Sequence, residues 1–208
     1  MRTPAKPIRY LIALGLVLSL SSCIAWLAPD VEVELTELRA GQYSLDKYHA
    51  SLLFKVQHLG LSTYVGRFND FDASLDFDPE NMADAKLDAV IEIESLDIND
   101  PGLKLDLMER AWLDQANYPQ AVFSTVSVEP ISENSFEFVG NLDWRGVVKP
   151  VSMEVTFHGG ADNLLTGKYT LGFSAKGSFS RSDFGMDAYS SMVGDEVQIE
   201  TYAEFQRN

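Results

Sequence analysis

The sequence predicts an all-β domain: a closed antiparallel barrel or a sandwich of eight or nine strands, with one short helix. Three observations carry this. Apolar and polar residues alternate with a period of two in run after run beyond residue 50. Each run has one apolar and one wet face, which is the pattern of antiparallel rather than buried parallel sheet. A single segment departs to helical spacing. Strands this numerous in one domain close on themselves or stack face to face.

Taken in chain order, the first segment is not part of that domain. Arg2, Lys6 and Arg9 precede the uncharged run "YLIALGLVLSL" of residues 10–20. The run is too short for a bilayer span, which needs about 20 apolar residues, and it has the layout of a secretory signal. The only cysteine follows in "LSLSSCIAW" and cannot form an internal disulfide. Leu20-Ser21-Ser22-Cys23 resembles a bacterial lipoprotein box, which makes residues 1–22 a signal peptide and Cys23 the site of lipid attachment. A plain secretory signal or an uncleaved anchor is the alternative. Ile24, rather than Asp, after the cysteine suggests the outer membrane, facing the periplasm. Residues 23–42 read as an acylated terminus and linker. Within them Trp26 and Leu27 lie near the lipid, and "VEVEL" is able to form an edge strand. The barrel domain is 43–208.

In that domain Leu52, Phe54 and Val56 begin the alternation. Phe71, Ala73, Leu75 and Phe77 continue it, followed by Ala85, Leu87, Ala89, Ile91 and Ile93. "GLKLDLMERAWLDQA" (102–116) sets Leu103, Leu107 and Ala111 at helical spacing, with Leu105, Met108 and Trp112 beside them. This predicts a short helix ending before Tyr118-Pro119 and packing across one end, as plain cover or as a lid. Phe136, Phe138, Gly140, Leu142 and Trp144 resume period two. Val151 to Phe157, Tyr169 to Phe179 and Val197 to Phe205 complete it.

Charge and motifs narrow the function. The chain carries 16 Lys and Arg against 31 Asp and Glu, and without residues 1–22 the net charge falls to −18. Nucleic acid and anionic membrane surfaces repel such a chain. His49, His58 and His158 lack metal-ligand spacing, so no metal and no cofactor is expected. No nucleophile elbow or zinc-protease motif is present, and "DFG" at 183–185 stands without the other kinase elements. No catalytic residue is assigned.

Four segments then resemble a known family: "YHASLLFKVQHLGLSTYVGRFNDFDASLDFD" (48–78), "WLDQANYPQAVF" (112–123), "GNLDWRGVVKPVSMEV" (140–155) and "FSRSDFGM" (179–186). Together they resemble the YceI family across roughly residues 43–205. The resemblance implies a lipocalin-like, antiparallel up-and-down β-barrel of about eight strands around an apolar tunnel for a polyisoprenoid. It also implies a secreted or periplasmic protein, often a homodimer, with no established enzymatic activity. One departure is Asp106, where the family commonly has a histidine.

The alternation itself names the lining of such a tunnel: Phe54, Leu75, Phe77, Ile91, Phe138, Leu142, Trp144, Met153, Leu171 and Phe173. Gly140, between Phe138 and Leu142, is expected to face a void that accepts a Trp ring. Extending the same parity brings in four basic-type residues. His58 follows Val56, Arg67 precedes Phe71, Lys149 pairs with Leu142 across the "RG" turn, and Arg181 follows Phe179. In a simple meander all four ring one mouth, where they suit an anionic or carbonyl head group. Charged strand ends that simply reach solvent are the alternative. The expected function is an envelope lipoprotein that binds or carries a long isoprenoid, a quinone or a polyprenyl phosphate. A structural or partner-binding protein with a packed barrel, and a lipid-acting hydrolase or isomerase, are the competing readings.

Overall fold

Eight antiparallel strand lines close into one ring. The computed structural model describes residues 29–208; the expected signal segment, Cys23, Trp26 and Leu27 lie outside them. The strands are β1 (Gly41–His58), β2 (Ser62–Phe68), β3 (Phe71–Phe77), β4 (Lys86–Glu92), β5 (Leu96–Asp97), β6 (Gln120–Pro130), β7 (Ser135–Trp144), β8 (Val147–Asn163), β9 (Lys168–Ser180) and β10 (Val193–Arg207), with helix α1 (Pro101–Met108) before β6. β1 is long enough to pair β2 along its upper half and β3 along its lower half. β2 and β3 are therefore one strand interrupted at Asn69-Asp70. β4 and β5 are likewise interrupted, at 93–95, because β4 pairs β3 and β5 pairs β2. Each line pairs its neighbour in sequence, and β10 returns to pair β1 from Tyr43↔Arg207 to His58↔Val193. The fold is the all-β, lipocalin-like, up-and-down barrel that the alternation and the resemblance led us to expect.

The meander defines two ends. The upper end carries the β1–β2 turn, α1 and its following turns, the Arg145-Gly146 turn and residues 181–192. Arg145 (φ 52) and Gly146 (φ 73) both take the left-handed conformation that a two-residue hairpin turn matched to strand twist requires. The register it sets is the one expected, with Phe138 opposite Met153 and Leu142 opposite Lys149.

The lower end is closed. Tyr43, Leu75, Phe77, Phe136, Phe138, Val155, Phe157, Tyr169 and Leu171 form a dry cluster. Its rings interlock, with Phe157 5.1 Å from Phe77 and 5.7 Å from Phe173, and Phe173 4.7 Å from Phe205. Such contacts exclude both water and ligand. Part of the segment read as linker caps this floor. Leu38 is buried there, Arg39 makes a two-pronged bond to Asp162 and lies over the Tyr169 ring, and Glu32 pairs with Gly160 and accepts from the Tyr169 hydroxyl. Among the described residues, 29–208, the strands close into a complete ring around their own core, so this stretch is expected to fold by itself.

The helix is shorter than the 102–116 expected. Asp100 caps it by accepting from the amides of Gly102 and Leu103, and the chain leaves the helix at Glu109. Turns follow to Tyr118, with Asp114 in the left-handed region at φ 49. This reversal lets Ala111, Trp112 and Leu113 join Leu103 and Leu107 over the barrel's upper end.

Candidate functional site

Above the aromatic floor the barrel is hollow. A cavity of about 870 Å³ is lined by inward residues of the barrel strands and partly covered by α1 and its turns. The burial pattern shows the same thing independently. Leu52, Phe54, Val56, Ala73, Leu87, Ala89, Ile91, Met153, Val197 and Ile199 point inward, yet remain partly accessible. In a filled barrel they would be buried; here they face open space.

Of the ten lining residues expected from alternation, six line this cavity: Phe54, Ile91, Leu142, Trp144, Met153 and Phe173. The other four do not. Leu75, Phe77, Phe138 and Leu171 are no more than 2% exposed and belong to the floor. Alternation identifies the inward face but not the depth along the barrel axis. Gly140 is a further correction. A Cβ there would fall into the tip of the Phe123 ring and 2.7 Å from the Ser124 carbonyl. That position is covered, so it faces no void and cannot accept a tryptophan.

The four expected mouth residues separate. His58 faces inward and lines the cavity. Arg181 does so too, and is 4% exposed. Its guanidinium donates to the carbonyls of Gly194 (2.9 Å), Val193 (3.1 Å) and Met186, and lies 5.4 Å from the centre of the Trp112 ring. Three of its five N–H groups are thereby used. Arg67 points outward, because the two residues at Asn69-Asp70 shift the phase between Phe68 and Phe71, both of which face in. It pairs with outward Leu53, donates to Asn69 and lies 3.4 Å from Asp97. Lys149 keeps its register with Leu142, but the β8–β9 ladder begins only at Met153↔Gly177. Above that point the two strands part. Lys149 lies in a shallow groove on the outer wall, 3.8 Å from Asp183.

Two polar groups escaped the sequence reading. Tyr64 and Trp144 line the cavity, and Tyr64 Oη and Trp144 Nε1 are buried with no hydrogen-bond partner among the described residues. Burial, helped by the nearby Asp100 charge, raises the Tyr64 hydroxyl above its ordinary pKa, so it stays protonated at neutral pH. With Arg181 these form a set of hydrogen-bond donors at the upper end of an apolar cavity. Tyr64 was missed because the parity of Phe71 was carried back to Arg67, and the phase shift at Asn69-Asp70 puts the inward face of β2 on the other parity.

Asp106 and Glu109 line the rim of the cavity. Among the described residues, no hydrogen bond or ion pair joins either of them to His58. Outside the barrel, the three-residue bulge between Leu45 and Ala50 brings His49 2.9 Å from Asp46, with Glu204 nearby. Burial pushes the Asp46 carboxyl up, but bonds from His49, the Tyr48 amide and Gln206 outweigh it and hold the carboxyl below its usual range. The bond to Asp46 raises His49. This cluster satisfies its own polar groups and does not touch the cavity.

A closed antiparallel barrel with, among the described residues, a blind apolar cavity and a few polar groups at its mouth is a lipocalin-like barrel with room for a ligand. Within that class the assignment is specific: the YceI-like domain matches residues 43–205, and the chain belongs to that family. It is similar to a UPF0312 protein of Yersinia enterocolitica, with 36% identity over 162 residues, 77% of this chain and 83% of the relative. It resembles the crystal structure of a Campylobacter jejuni YCEI protein with a TM-score of 0.65 and 27% identity, over 74% of this chain and 91% of that one. In fold it also resembles a polyisoprenoid-binding domain from Saccharophagus degradans, with a TM-score of 0.63 and 13% identity, over 82% of this chain and all of that one.

Proposed function

We propose that this protein binds and carries a long isoprenoid lipid, chain inward and head at the upper mouth. One observation carries the reading: the cavity is blind at the floor and apolar along its walls apart from Thr201, and its other polar side chains gather where the head of a lipid would lie. The donors there supply N–H and O–H groups, which suits a head that accepts hydrogen bonds, such as a quinone carbonyl or a phosphate. Family membership and the described partner of the Saccharophagus neighbour support the same class of ligand. They also favour binding over catalysis.

The volume limits the chain. At about 30 Å³ per water-sized group, 870 Å³ holds roughly 29 non-hydrogen atoms, or about six isoprene units. Each buried methylene contributes about 0.8 kcal/mol. Affinity for isoprenoid alcohols should therefore rise with length and level off near about six units, where further carbons stay outside. Quenching of Trp112 and Trp144, both on the cavity wall, reads this directly. Affinity independent of chain length would contradict the proposal.

For its location, we propose that Cys23 is acylated and holds the barrel at the periplasmic face of the outer membrane. One acyl chain anchors weakly, and two or more anchor stably. Cells fed a labelled fatty acid should mark the wild-type chain but not Cys23→Ser. Equal label on both would remove the anchor.

A further inference from the structure

The rim of the cavity carries a display of exposed apolar side chains. Leu61 is 85% exposed, Leu105 71% and Tyr189 61%, with Leu59 and Met192 beside them. They come from three separate elements: the β1–β2 turn, α1 and the loop after β9. The Leu59 amide donates to the Met192 carbonyl at 2.7 Å, which ties two of these elements together. The stretches 59–65 and 188–194, which hold these turns and the first residues of the strands after them, contain no charged residue, in a chain of net charge −15.

Backbone conformation sets two of these residues apart. Leu59 and Tyr189 both lie in the left-handed region at φ 54. At the first position of a Leu59-Gly60 hairpin turn, Asn, Asp or Gly is the usual choice. A leucine there is strained and exposed, so neither turn chemistry nor core packing explains it. All four left-handed residues other than glycine among those described (Leu59, Asp114, Arg145 and Tyr189) lie at this one end. Strain gathered at one place points to function.

We propose that this rim docks on a lipid bilayer, so that a ligand passes between membrane and cavity without crossing water. The proposal rests on the carrier reading for its purpose, though not for its test. A bilayer fits better than a protein partner for two reasons. The apolar side chains stand on protruding turn tips around an opening, rather than on a flat face. Two of the three tips, the β1–β2 turn and the loop after β9, offer leucine, tyrosine and methionine with no charge, which suits the boundary between head groups and acyl chains, while α1 adds Leu105 beside the acidic Asp106 and Glu109. Because the chain is acidic, a zwitterionic surface is preferred to an anionic one.

The polypeptide 29–208 should bind phosphatidylcholine vesicles in a sedimentation assay. The double variant Leu61→Glu, Leu105→Glu should bind at least tenfold more weakly, with an unchanged circular dichroism spectrum and melting midpoint. Leu164 and Leu165, exposed at the opposite end, provide the control, and changing both to Glu should leave binding intact. No vesicle binding by wild type, or equal binding by wild type and the rim variant, overturns the proposal. Loss of binding only in the opposite-end variant also overturns it. A rim variant that converts a dimer to a monomer without altering vesicle binding assigns the rim to a second copy instead. Lipid extracted from the purified protein is scored separately: a protein empty of isoprenoid that still docks refutes the carrier reading alone.

Discussion

Replacing Ala89 by Trp is expected to leave the barrel folded and to abolish ligand retention. Ala89 sits mid-strand on β4, between Ala73 of β3 and Phe123 of β6, and its inward face is partly accessible because it borders the cavity. In a filled core an added ring forces strain of about 1–3 kcal/mol or more. Here the ring enters space that already exists, so the cost should stay under about 1 kcal/mol. That space is what the ligand occupies, and an indole there shortens or blocks the channel. Affinity should fall at least a hundredfold, about 2.7 kcal/mol. A variant that does not fold would mean that the cavity is filled by its own walls.

The second large effect is on stability. Arg181→Met should lower the melting midpoint by about 6–12 °C, equivalent to roughly 3 kcal/mol in a protein of this size. The guanidinium is buried and donates to the carbonyls of Met186, Val193 and Gly194. It therefore fixes residues 181–194 against the end of the barrel. Charge-assisted bonds of this kind contribute about 1.5–3 kcal/mol each, and removing the donor leaves carbonyls without partners. The same change at Arg67 or Lys149 should shift stability by no more than about 0.5 kcal/mol, because both make exposed ion pairs. Thermal melts of the three variants separate the two cases. An unchanged midpoint for Arg181→Met would show that the three carbonyls find other partners.

This contrast shows what could and could not be read from the chain. Regular alternation fixes which side chains face in along an uninterrupted strand, and it placed Arg181 and His58 on the inner face. It fails across an irregularity that leaves no composition signal. Asn69-Asp70 adds a residue to the phase, which turns Arg67 outward. The parting of β8 from β9 above Met153 carries Lys149 to the outer wall without changing its register. Depth was equally invisible. Phe138 and Leu142 lie on one face of one strand, yet one is packed in the floor and the other borders the cavity. The two ideas of a packed and a hollow barrel each describe one end of the same molecule. Tyr64 became a candidate, and Trp144 more than an apolar wall residue, only once their polar atoms were seen to be buried without partners.

The most direct test of the account is the mass of what the barrel holds. The polypeptide 29–208, exported to the periplasm and purified without detergent, would be extracted with organic solvent and analysed by mass spectrometry alongside Ala89→Trp. The account predicts close to one isoprenoid per wild-type chain and almost none in the variant, because a chain of about 30 buried carbons is held strongly enough to survive purification. A folded wild-type protein that extracts free of lipid, or that carries the same lipid in equal amount as Ala89→Trp, would contradict it.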